Sequence, residues 1–154
     1  MTSQLVLPKP NANIIWRAAW CSFFTSIYAL THPDTIYFAI IPASVFATSL
    51  NYWRDPVRES WRRKTDMIVV YSCISSQSLY VYLYLTDQKV IQYNHSYFYL
   101  IFTSFMCYLI SEYYLKRDRI WPATYFHACI HIIANIANIV LCEGVVHKNA
   151  IYPV

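Results

Sequence analysis

The stretch "SLNYWRDPVRESWRRKTDMIVV", residues 49–70, decides the fold. It leaves one apolar segment at Trp53, crosses a loop carrying Arg54, Arg58, Arg62, Arg63 and Lys64, and enters a second apolar segment at Asp66. Pro56 stands in the loop, and a residue without a backbone N–H marks a helix edge. A dense basic loop between two apolar runs is the mark of a chain that crosses a membrane and keeps its arginines on one side.

The rest of the chain repeats the pattern. A spanning helix needs about 20 mostly apolar residues, and five stretches qualify: 14–31, 35–53, 66–86, 96–115 and 122–142. The other connections are "THPD", "DQKVIQYNH" and "KRDRIW". Hydrophobic residues make up 57% of the chain and charged residues 13%, where a soluble domain carries about 25% charged. Fifteen tyrosines and five tryptophans suit lipid–water boundaries. The expectation is an all-α, polytopic membrane helical bundle of about five transmembrane helices. It divides into a tail over 1–13, a single transmembrane domain over 14–142 and a short C-terminal tail over 143–154. Pro42, inside the second span, is expected to kink it. "MTSQLVLPKPNAN" does not read as a secretory signal, so the first span is expected to act as an uncleaved anchor.

The charges orient the bundle. In a five-span chain the loops after the second and fourth spans share a side with the N-terminus. That side receives ten basic residues and the other only Lys89 and Lys148. The N-terminus is therefore expected in the cytosol. The net charge of +4 is then a matter of topology, and no nucleic-acid partner is read from it. The five cysteines lack CxxC spacing and read as small packing residues. The sequon "NHS" at 94–96 falls on the outer side, too close to the membrane to be used.

"FHACIHIIANIAN", residues 126–138, is the second informative stretch. His127, His131, Asn135 and Asn138 follow i, i+4, i+8, i+11 and share one helix face. In the expected topology His127 and His131 lie at the depth of Ser49, Asp66 and Glu112, toward the inner leaflet. Ionisable groups there face the bundle interior and carry partners. Two imidazoles one turn apart suit a metal such as zinc, with Asp66 as a further ligand or as the holder of a bound water. They equally suit hydrogen bonds across helices, as do Asn135 and Asn138. Asp66 also reads as a helix cap or an arginine partner, and Glu112 as the i, i+4 partner of Lys116.

Ser49, Asp66 and the pair His127 and His131, in this order and on these spans, resemble the superfamily of alkaline ceramidases, progestin/adiponectin receptors and hemolysin III. That family carries Ser-x-x-x-His at the inner end of its second helix, an aspartate at the start of the third and His-x-x-x-His in the last. The resemblance implies a seven-helix membrane fold with zinc on three histidines, acting on lipid amides. Carried over by position, Ser49 and Asp66 support catalysis, and His127 and His131 are zinc ligands. Two departures stand out. Trp53 occupies the place of the first histidine, and only five spans are read instead of seven. A two-histidine, one-carboxylate site completed by Asp66 or Glu112 is the most that remains. The resemblance implies a zinc-dependent hydrolase of a lipid amide or ester. The alternative is a non-catalytic membrane protein that binds membrane lipids or serves as an accessory subunit for membrane protein partners. A proton-conducting bundle ranks below both, since the polar groups share one depth.

Overall fold

The computed structural model describes residues 5–152, and these are almost wholly helical. Helices α1 (Lys9–Ala18) and α2 (Trp20–Leu30) follow one another through Ala19. A 3-10 helix over Pro33–Ala39 runs into α3 (Ile40–Trp53). The chain continues through α4 (Trp61–Tyr84), α5 (Ile91–Leu115) and α6 (Ile120–Ile151). Such a chain satisfies its backbone hydrogen bonds within each helix, the only arrangement besides a closed barrel that apolar surroundings permit. Four segments are long and apolar enough to cross a membrane: Pro33–Trp53, Trp61–Tyr84, Ile91–Leu115 and Ile120–Ile151.

The first expected span, 14–31, takes another form. The helical path breaks at Ala19, leaving halves of 10 and 11 residues, each too short to span alone. Both halves carry buried polar groups, and two of these face α6. Asn11 donates to Thr124 Oγ1 at 3.0 Å, and Asn135 of α6 donates to Ser22 Oγ at 2.9 Å. Pro42 does not kink the middle of a span. It lies in the first turn of α3, where the 3-10 segment becomes α-helical. Its missing N–H falls where the hydrogen-bond register changes in any case.

Other boundaries also move. Ser60 caps α4, accepting from the Arg63 N–H at 3.2 Å, so Asp66 lies in the second turn and is not the cap. Helix α5 begins at Ile91, taking in the sequon; buried Asn94 donates to the Val81 carbonyl at 3.2 Å. Helix α6 runs through 143–151, expected as tail, because the charges there have partners. Glu143 accepts from the Tyr28 hydroxyl, and Lys148 donates to the Tyr84 carbonyl at 2.5 Å. In the expected N-terminal tail, residues 5–7 pack against the loop after α3: Val6 N–H donates to the Pro56 carbonyl at 2.8 Å, and Leu7 is buried. The five cysteines are free, Cys142 buried and the other four half-buried.

Helix α6 is the axis of the bundle. It packs along α5 and against α1, α2 and the 3-10 segment, while α4 packs chiefly on α3. At one end α4, α5 and α6 share a core of Val81, Leu85, Tyr97, Ala137 and Leu141. Toward the arginine-rich end α4 separates from α5 and α6, and the candidate site lies in that gap. The shared core depends on Gly144, the chain's one glycine. A Cβ there would lie 2.8 Å from Tyr93 Cβ and 3.0 Å from Leu85 Cδ1. Alanine inside a helix normally gains about 1 kcal/mol over glycine, but overpacking costs about 1–3 kcal/mol, and Tyr93 Cβ cannot swing aside. Gly144→Ala is expected to lower the thermal unfolding midpoint in detergent; an unchanged or raised midpoint would show that α5 and α6 do not meet this closely.

Candidate functional site

A cavity of about 360 Å³ fills the gap between α4 and the α5–α6 pair. Helix α3 contributes Ser49, Tyr52 and Trp53; α4 contributes Asp66; α6 contributes His127 and His131. The four residues singled out from sequence thus line one cavity. Glu112 and Arg63 stand at its arginine-rich end. Deeper in, the wall is mostly apolar, with Val70, Ile74, Ile101 and Ile130. Beyond Ile74 the next turn of α4 brings Gln77 to Asn138 of α6, its Nε2 donating at 2.5 Å.

Asp66 is 8% exposed and Ser49 1%. The Ser49 hydroxyl donates to Asp66 Oδ1 at 2.8 Å, and the Thr48 hydroxyl donates to the same oxygen at 2.9 Å, sharing its one proton with the Ser44 carbonyl at 3.1 Å. Two donors on one oxygen hold the carboxyl against α3 and leave Oδ2 free of both. Sequence reading found Ser49 and Asp66 but missed Thr48, whose one signal is a hydroxyl beside Ser49. The expected arginine partnership of Asp66 does not form. Among the described residues the ion pair is Arg62 with Asp55, at 3.4 Å. Glu112 does not pair with Lys116 either; both line the cavity mouth.

The two histidines differ in surroundings. Their ring centroids lie 5.9 Å apart, as one helical turn dictates. The His127 ring meets the Trp53 indole edge-on at 4.7 Å, so the side chain at position 53 does reach His127. Trp53 itself is buried with Tyr52, Ala12, Ile15 and Leu7. His131 is buried, and its Nε2 has no hydrogen-bond partner among the described residues. A buried ring nitrogen left unpaired is costly, and this one belongs to a residue of the cavity wall. Asn135 and Asn138 donate to or accept from Ser22 and Gln77 across helices, while the Asn135 Oδ1 is likewise buried without a partner among the described residues.

A zinc centre of the kind the resemblance implies needs at least three protein donors. Among the described residues no group of three His, Cys, Asp or Glu side chains converges to hold a metal ion. The expected set of His127, His131 and Asp66 is therefore not assembled. One physical reason is visible: the place beside His127 holds an indole, whose N–H can only donate. The residues present do not fit a three-ligand zinc centre.

Comparison with known proteins finds no matching family model, no matching curated protein and no matching solved structure.

The shared oxygen of Asp66 yields a direct test. Ser49→Ala leaves Thr48 as donor and is expected to cost about 1–2 kcal/mol of unfolding free energy. Adding Thr48→Val leaves a buried carboxyl without either hydroxyl, so the double variant should lose more than the sum of the singles. Simple additivity in a double-mutant cycle would show that the hydroxyls do not share one acceptor.

Proposed function

We propose that the chain is a multi-pass integral membrane protein, with α1 and α2 together as the first of five spans and the N-terminus in the cytosol, and that it binds a membrane lipid without carrying out chemistry on it. One observation carries this reading: a cavity of about 360 Å³, apolar along its depth and polar at its arginine-rich end. Its volume falls in the range of small-ligand sites. An acyl chain fits the apolar depth, and the polar head of a lipid meets the end where Ser49, Asp66, His127 and His131 lie. The positive-inside asymmetry supports the orientation, putting this end at the cytosolic leaflet.

A second reading, the zinc-dependent lipid-amide hydrolase, is favoured by the serine–aspartate bond and by the histidine pair on the same cavity. It requires a carboxylate, Asp66 or Glu112, to take the place of the histidine that Trp53 replaces.

Two experiments separate the readings. Ile74→Trp fills the cavity, and Ile68→Trp places the same bulk on the exposed face of α4. Lipid co-purified with the full chain in mild detergent, quantified by mass spectrometry, is expected to fall with Ile74→Trp and to hold with Ile68→Trp. Equal retention in both would remove the cavity from the account. For zinc, the wild-type chain is expected to bind none stoichiometrically, and Trp53→His to bind about one ion per chain. Stoichiometric zinc in the wild-type chain, lost in His127→Ala, would replace the lipid-binding reading with the hydrolase. A metal-free Trp53→His variant would dismiss the family resemblance.

A further inference from the structure

A second cavity, about 220 Å³, opens at the arginine-rich end and is lined by Arg58, Arg63, Lys116, Glu112, Val6 and Leu115. Val6, Arg63, Glu112 and Leu115 also line the larger cavity, so the two spaces adjoin. Three cations against one carboxylate leave the mouth with a formal charge of +2. Most of that charge is not spent within the protein. Arg62 is the arginine paired with Asp55, while Arg58, Arg63 and Lys116 have no ion-pair partner among the described residues. Arg63 is steered by its Nη1, which donates to the Arg58 carbonyl at 3.3 Å, bringing the two arginines to one side of the mouth.

Two arginines without an ion-pair partner among the described residues line this one pocket, and a phosphate accepts from Arg in forked pairs. We infer that this mouth binds the phosphate of an anionic phospholipid whose acyl chain lies in the adjoining cavity. The inference rests on the lipid-binding reading above and adds the class of lipid. Arg58, Arg63 and Lys116 attract the phosphate. Glu112 lowers the attraction and so sets its strength. An inorganic phosphate meets the same charges but gains nothing from the apolar depth.

The test uses the full chain in detergent, titrated with phosphatidic acid, phosphatidylcholine, diacylglycerol and inorganic phosphate, and read by native mass spectrometry. Phosphatidic acid is expected to bind at least about tenfold more tightly than phosphatidylcholine or diacylglycerol, Arg58, Arg63 and Lys116 contributing up to about fivefold each before Glu112 offsets part of it. Arg63→Ala and Lys116→Ala should each weaken phosphatidic acid by about fivefold, weaken the zwitterionic phosphatidylcholine less, and leave diacylglycerol, which has no phosphate, unchanged. Arg63→Lys should recover part of the loss, and Glu112→Gln should tighten phosphatidic acid alone. A merely structural role for these side chains would shift all three lipids together. Equal binding of the three lipids overturns the inference and leaves the cavity reading in place, as does a preference that survives both alanine variants. Displacement of phosphatidic acid by equimolar inorganic phosphate identifies a free-phosphate site and overturns it too. Failure of every lipid to bind removes the lipid-binding reading and this inference together.

Discussion

The bundle depends on how α6 disposes of its polar side chains. A polar group in an apolar interior must find a partner or pay its desolvation. Helix α6 meets this constraint with rivets to its neighbours: Thr124 to Asn11 of α1, Asn135 to Ser22 of α2 and Asn138 to Gln77 of α4. Each rivet fixes the register of one neighbour on the central helix. The bond to Gln77 lies at the edge of the shared apolar core, and on its arginine-rich side α4 is free to part from α6. The cavity is the space that parting leaves.

Within that space the polar groups are unequally committed. Asp66 is held by two hydroxyls of α3, which ties α3 to α4 and keeps the carboxyl on the cavity wall. His127 is engaged by Trp53, while His131 keeps a ring nitrogen with no partner among the described residues. The side chains a metal would need come from facing helices, Asp66 from α4 and the histidine pair from α6, and the Trp53 indole stands against His127. The same arrangement serves a binding site well, because held groups present a fixed pattern to a ligand and lose little order on binding it.

Much of this was legible in the sequence, for identifiable reasons. The basic loop after Trp53 and the long apolar runs made four of the helices plain, because length and hydropathy suffice for them. The break at Ala19 had no signal, since alanine is the best helix former and neither glycine nor proline flanks it. The extension of α6 was hidden by Glu143 and Lys148, which read as the end of a span until Tyr28 and the Tyr84 carbonyl are seen to receive them. Ser49, Asp66, His127 and His131 were legible as a group because helical spacing and the order of the spans bring them to one depth. The mouth was not. An arginine in a loop looks alike in sequence whether it fixes topology, pairs as Arg62 does, or lines a pocket as Arg58 and Arg63 do.

The central claim is that an acyl chain occupies the gap between α4 and α6. Photo-crosslinking of the reconstituted protein with a phospholipid carrying a diazirine along its acyl chain, mapped by peptide sequencing, tests it most directly. The account predicts adducts concentrated on Ile74, Ile101 and Ile130, which face the cavity. Adducts confined to outward residues such as Ile68, Leu109 and Ile132, with none on the cavity wall, would contradict it.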